Sequence, residues 1–233
     1  MAKHNVWMSV SDLMTGLMVI FLFVAIAYIS LVQKNTNVLT DYVETRSKLH
    51  DKLVNEFKGD TLNWQMSIGK EDLTMKFNNP TTLFKSGSAE LTPEFCAILN
   101  EFIPKYLNIL LTSKLRNKIK EIRIEGHTDD WGYPQLNKDP YIANVILSQQ
   151  RALNVLIYIR KMPIFQSYKP EEMRLLAYWF TANGLSYGKA LDKNGQYTML
   201  SHQPIDKAKS RRVEFRIVTT GDEMLEEFVN KNK

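Results

Sequence analysis

From Leu13 to Val32 the chain runs for twenty residues without a charge. As a helix that length crosses about 30 Å of hydrocarbon, so the run predicts a membrane span. At its head stands Asp12, within Trp7-Met-Ser-Val-Ser-Asp-Leu-Met-Thr-Gly-Leu. A carboxylate at a bilayer centre costs roughly 2.5–3.5 kcal/mol on insertion scales and less near the edge. Chains keep such a group where it faces a protein interior or a water-filled path. If the helix begins near Val6, then Asp12, Thr15, Gly16 and Val19 share one side, with Ser9 a turn earlier. That small, polar face admits a second helix closely, while Leu13, Leu17, Ile20, Phe21 and Val24 supply bulk elsewhere. A helix cap at the membrane surface is the plainer account of Asp12.

A signal peptide would also place Lys3 before an apolar stretch, with Ala25-Ile-Ala27 as a cleavage site. Apolar sequence continues past that point, and Asp12 interrupts the region that should be most apolar, so an uncleaved anchor is expected. Charge counting does not orient it, because Lys3 on one side faces Lys34, Arg46 and Lys48 on the other.

Beyond the span about 200 residues remain, enough for a linker and one globular domain. The net charge of +5 is modest and spread among acids, so nucleic acid is not an indicated partner. Cys96 is the single cysteine, which rules out an internal disulfide and reads as a small core residue. No Cys/His group has metal-ligand spacing, and no cofactor is implied.

Leu39, Tyr42, Val43, Leu49, Leu53 and Phe57 recur at three- and four-residue steps. They suit either a short coiled coil continuing the membrane helix or a helix lying against its own domain. Alternation over Trp64–Ile68 and Leu73–Phe77 predicts a hairpin turning at Gly69-Lys70. Thr92-Pro93-Glu94 opens a helix that runs through Leu107, after a loop-like stretch from Thr82 to Glu90. Further expectations are a strand Ile122–Glu125, a helix Tyr141–Met162 stopped by Pro163, and a shorter helix at Glu171–Leu176. An extended segment at Trp179–Asn183, a strand Arg212–Val218 and a terminal helix Asp222–Asn230 complete the chain. The pattern predicts an α+β fold with helices packed on one mixed sheet. The division expected is 1–6 cytoplasmic, 7–32 transmembrane, 33–60 helical stalk, 61–221 globular domain and 222–233 tail.

Ile124-Glu-Gly-His-Thr-Asp-Asp130 is the most specific soluble stretch. Gly126 permits a sharp turn off a strand, exposing His127, Thr128 and Asp129 at a sheet end. Asn144, Leu147 and Arg151 fall on one helix face. Asp129 and Arg151 can line one pocket, reading an ammonium group and a carboxylate respectively, or they can simply pair with each other. His127, Asp129 and Ser148 invite a hydrolase reading, but no nucleophile elbow or oxyanion donors accompany them, so an enzyme is not expected.

Gly126-His-Thr-Asp129, Asn144-x-x-Leu-Ser-x-x-Arg-Ala152 and Arg211-Arg-Val-Glu-x-Arg216 together resemble the OmpA-like peptidoglycan-binding domain of outer-membrane anchors and MotB-type stators. The resemblance covers roughly 73–219. It implies that Asp129 and Arg151 hold the diaminopimelate or equivalent acid of a stem peptide, with Thr128, Asn144, Leu147 and Arg212 in support. The segment from Asp130 to Tyr141, with Trp131, Tyr133, two prolines and Asp139, is a longer insertion than the family pattern and is expected to alter how the glycan is approached. Ser11-Asp-Leu-Met-Thr15 resembles the stator helix whose Asp carries the ion, giving that role to Asp12 with Thr15 and Gly16 facing the partner. The nearly uncharged start and compact linker are most similar to the B subunit of Zorya anti-phage defence systems. That resemblance implies a homodimer inside a ring of MotA-like subunits in the bacterial inner membrane. The N-terminus would be cytoplasmic and the domain periplasmic on peptidoglycan, with proton or sodium flow driving rotation that reaches cytoplasmic effectors. A flagellar-type stator, a transport energiser and a passive wall anchor are the alternatives.

Overall fold

The computed structural model describes residues 2–70, 72–85, 87–112, 114–133, 135–223 and 225. The first element, α1 (Ala2–Phe57), is one unbroken helix. Its sequence holds no proline and only one glycine, Gly16, so nothing in the backbone interrupts it. Around Asp12 the run Leu13–Val32 is exposed along its whole length, which leaves it long and apolar enough to cross a membrane.

The amphipathic stretch after the span divides at Thr45. Leu39 and Val43 are exposed, whereas Thr45, Leu49, Leu53 and Phe57 are buried in the domain. Those four recur at four-residue steps, so they form one stripe, and the domain's own core covers it. Of the two accounts left open by the periodicity, this part of the helix follows packing against its own domain.

A five-stranded sheet follows, in the order β1 (Met66–Ile68), β2 (Thr74–Phe77), β5 (Val213–Thr219), β3 (Ile119–Gly126) and β4 (Phe180–Gly184). All neighbours are antiparallel except β3 and β4, which are parallel. Between the strands lie α2 (Pro80–Leu83), α3 (Pro93–Thr112), α4 (Pro140–Lys161) and α5 (Pro170–Trp179), with the short α6 (Thr198–Ser201) and α7 (Lys207–Ser210) before β5. Thr92 caps α3, its hydroxyl accepting from Phe95 N at 3.1 Å, and Asp139 caps α4, accepting from Tyr141 N at 2.8 Å. Pro93 and Pro140 take the first helical position, where a missing N–H costs nothing.

Alternation on the strands separates two faces. Met75, Phe77, Ile122, Ile124, Val213, Phe215 and Ile217 point into a core with Phe95, Phe102, Tyr106 and the α1 stripe. Phe102 and Phe215 meet at a ring separation of 5.1 Å. The opposite face carries Lys76, Arg123, Glu125, Glu214 and Arg216. The chain is thus α+β with helices on one mixed sheet. Cys96 is only half-buried, at the rim of the core. The terminal helix expected over Asp222–Asn230 lies largely outside the described residues.

Candidate binding cavity at the end of the sheet

Gly126 and Gly184 are partners in the parallel β3–β4 register. Neither has positive φ; each is needed instead for the close approach of α4. A Cβ on Gly126 would stand 2.3 Å from Ser148 O, and one on Gly184 would stand 2.4 Å from Gln149 N. Gly126 is the last residue of β3, so the strand ends where expected, and α4 rests directly on its bare backbone. Gln149 fastens the contact, donating to Ala182 O at 3.0 Å and accepting from Gly184 N at 2.8 Å.

This approach brings the buried face of α4 beside the loop after β3. Asn144, Leu147, Ser148 and Arg151 are all buried there, as are His127, Thr128 and Asp129. Thr128 N donates to Ser186 O at 3.0 Å and fixes the loop against the segment after β4. Ser148 donates its hydroxyl to Val145 O and accepts from Ser186 N, so it is consumed structurally.

A cavity of about 280 Å³ opens beside this loop, walled by Phe84, Lys85, Tyr133, Arg151, Arg211 and Arg212 with His127 at its side. Arg151 Nε donates to Ser88 O at 3.0 Å, and its guanidinium lies 4.9 Å from the centre of the Phe84 ring. Burial draws its pKa below the ordinary value, against the opposing charges of Tyr133 and Asp129. Asp129 does not pair with Arg151. Its Oδ2 faces Arg211 Nε at 3.6 Å, and its Oδ1 accepts from Trp131 N at 3.1 Å. Asp129, Thr128, Asn144 and Leu147 stand behind the wall, whereas Arg151 and Arg212 are part of it. Asn144 donates to Trp131 O at 2.7 Å and Pro140 O at 3.0 Å, holding the long insertion onto α4.

Arg212 turns inward, donating to Glu214 Oε1 at 2.6 Å and to Lys189 O at 3.1 Å. Glu214 and Glu125 face each other in register, and Arg216 reaches both, at 3.5 and 3.3 Å. Burial holds the Glu125 carboxyl above its usual range; Arg216 opposes this and Glu214 reinforces it. Burial also pushes His127 well below its ordinary pKa, with Arg212 adding to the effect. Both ring nitrogens of His127 lack a hydrogen-bond partner.

Glu125, His127 and Glu214 offer ligand atoms within 4.8 Å of one another, a grouping invisible to spacing rules because it spans two strands. Its carboxylates are already matched by Arg212 and Arg216, so a divalent cation would meet two guanidinium groups as well. The cavity itself is rich in cations, and Arg211 Nε and Thr128 Oγ1 are buried without hydrogen bonds. Such a site suits a ligand bearing carboxylate, and Asp129, behind the wall and facing Arg211, is an acid placed near it for an amine.

The sequence alone gives no cavity role to Arg211 or to the segment Thr81–Thr92, and marks Tyr133 only as part of the insertion. Arg211 lies in the Arg211-Arg212 motif, which was a usable signal. The 81–92 segment has no periodicity, and only the fold carries it to the cavity. At the other end of the chain, Asp12 lies well inside α1, which starts at Ala2, and so caps nothing. Thr15 donates its hydroxyl to Ser11 O at 2.8 Å, and Gly16 has open space where a Cβ would be.

No protein-family model matches the chain. Over 233 residues it is 34% identical to the Zorya protein ZorB of Escherichia coli Crooks, covering 97% of this chain and 92% of that relative. A second Zorya protein ZorB, from Escherichia coli O139:H28, is 27% identical over 222 residues, covering 93% of this chain and 81% of the relative. Among solved structures, the cell wall anchor of the T6SS from Pseudomonas aeruginosa is 20% identical with a TM-score of 0.45, over 72% of this chain and 96% of that one.

Proposed function

Because the chain belongs to the ZorB family, we propose that it is the peptidoglycan-anchored membrane subunit of an ion-driven rotary motor in Zorya anti-phage defence. Asp12 carries the ion, a proton or sodium, and Thr15 and Gly16 form the small face on which a ring of MotA-like subunits moves. Two copies stand side by side within that ring. The span Leu13–Val32 lies in the bacterial inner membrane with the N-terminus in the cytoplasm. The domain after α1 is periplasmic and grips the cell wall, so that the dimer is the fixed axis and the ring turns to signal cytoplasmic effectors.

The observation that carries this reading is Asp12 itself: a carboxylate inside an unbroken helix, at the head of a fully exposed apolar length. The cation-lined cavity supports the wall-binding half. Arg151 and Arg211 suit the stem-peptide carboxylate, and Asp129 suits its amine once Arg211 yields. Thr128, Asn144, Leu147 and Arg212 hold that arrangement in place.

The test is phage plating efficiency on cells carrying the gene with its native neighbours. D12N is expected to abolish protection while the mutant protein still co-purifies with its membrane partner. D129A combined with R151A is expected to abolish protection through loss of wall binding. Full protection with D12N would reduce the protein to a passive anchor, and a wild type that never protects would move it to motility or transport energisation.

A further inference from the structure

The insertion after Asp129 holds an indole that the core does not use. Trp131 is 63% exposed, yet its backbone is pinned on both sides: N–H to Asp129 Oδ1 at 3.1 Å, and C=O from Asn144 Nδ2 at 2.7 Å. Lys207 Nζ lies over one face of the ring, 5.4 Å from its centre, and also pairs with Asp130 at 3.4 Å. Four residues on, Arg211 faces Asp129 and walls the cavity, and Tyr133 walls it from the insertion side. An exposed aromatic is normally mobile and solvated; the backbone of this one is held by the same two side chains that support the cavity, and Lys207 covers one face of its ring.

We propose that the exposed ring of Trp131 is a sugar platform, which stacks on a pyranose ring of the glycan strand whose stem peptide occupies the cavity. The inference rests on the peptidoglycan reading above and adds a carbohydrate subsite to it. Pyranose rings present a patch of C–H groups that suits the π face of an indole, and their hydroxyls suit charged neighbours. Asp130 and Lys207 supply such neighbours at the rim, both half-exposed. Trp131 is also tied to the loop that carries the proposed amine-binding acid, since its N–H is held by the Asp129 carboxylate. A protein partner would require a broader apolar patch than one ring set among charges.

The experiment measures binding of two probes to the full-length protein in detergent by calorimetry: GlcNAc-MurNAc carrying its stem peptide, and the free stem peptide. Wild type is expected to prefer the disaccharide-peptide about tenfold, and W131A to lose that preference while binding the free peptide unchanged. W131F, which keeps a flat ring, is expected to recover part of it. Equal wild-type affinity for both probes would overturn the platform, as would a W131A protein that weakens both alike. Wild type binding neither probe would overturn the peptidoglycan reading itself.

Discussion

Gly126 turns its bare Cα toward Ser148 so closely that a Cβ would stand 2.3 Å from the carbonyl oxygen. The glycine thus sets how near α4 comes to the sheet, and with it the height of Arg151 over the cavity. G126A is expected to destabilise the fold by about 1–3 kcal/mol, because the clash is with backbone and not with a yielding side chain. Urea unfolding of the full chain in detergent measures this. An unchanged midpoint would mean that α4 can retreat freely.

Arg151 uses its shape as well as its charge. It donates Nε to Ser88 O with its guanidinium over the Phe84 ring while its terminal nitrogens stay available, a combination that the single ammonium of a lysine does not offer. R151K is therefore expected to bind purified sacculi about as poorly as R151A, roughly tenfold below wild type in a co-sedimentation assay. Wild-type binding by R151K would reduce the site to a point charge.

His127 is neutral in the fold, since burial has pushed its pKa well down. Unfolding returns it to an ordinary value of about 6.5, so below that pH the unfolded chain binds a proton that the fold refuses. Its contribution is a loss of stability as pH falls through about 6.5. Glu125 acts in the opposite sense: its raised pKa favours the fold at low pH, and that benefit is lost as pH rises through the raised value. Comparing wild type with H127N separates the two. The melting temperature of H127N is expected to fall less than that of wild type between about pH 7 and about pH 5. Parallel profiles would contradict the assignment.

Leu53 belongs to α1, yet it is fully buried in the domain. L53A is expected to cost about 2–5 kcal/mol in unfolding free energy, as for other large core truncations. Arg46, which pairs with Asp222 at the domain edge, stays partly exposed, and R46A is expected to cost about 1 kcal/mol or less. Similar small losses in both would mean that the helix only rests on the surface.

The membrane run and the alternating strands were legible because each follows a local period that burial imposes. The helix start at Thr92 was equally local, an oxygen beside a proline; Asp139-Pro140 carries the same signal, yet the helix expected there began only at Tyr141. Where a face is shared between elements, local pattern ran out. The stripe Thr45–Phe57 has the same spacing whether it meets a second copy or its own sheet, and only the core of Phe102 and Phe77 decides between them. The strand end at Gly126 was legible but the approach of α4 to it was not, because glycine permits both bends and close approach. The pairing of Asp129 with Arg211, in place of Arg151, depends on where α7 delivers the chain before β5, and no spacing rule carries that information.

The helix α1 has 56 residues and so extends about 84 Å, from the membrane to the middle of the domain core, without a joint. Each residue adds a fixed rotation, so the compass bearing of Asp12 about the helix axis is locked to the bearing of the cavity at the far end. Inserting one residue between Val32 and Asp41 would swing the carboxylate by about 100° while leaving the contacts of the domain with Asp41 and the helix beyond it intact. The part behaves as a keyed shaft, in which the phase between its two ends is written into the number of residues that separate them.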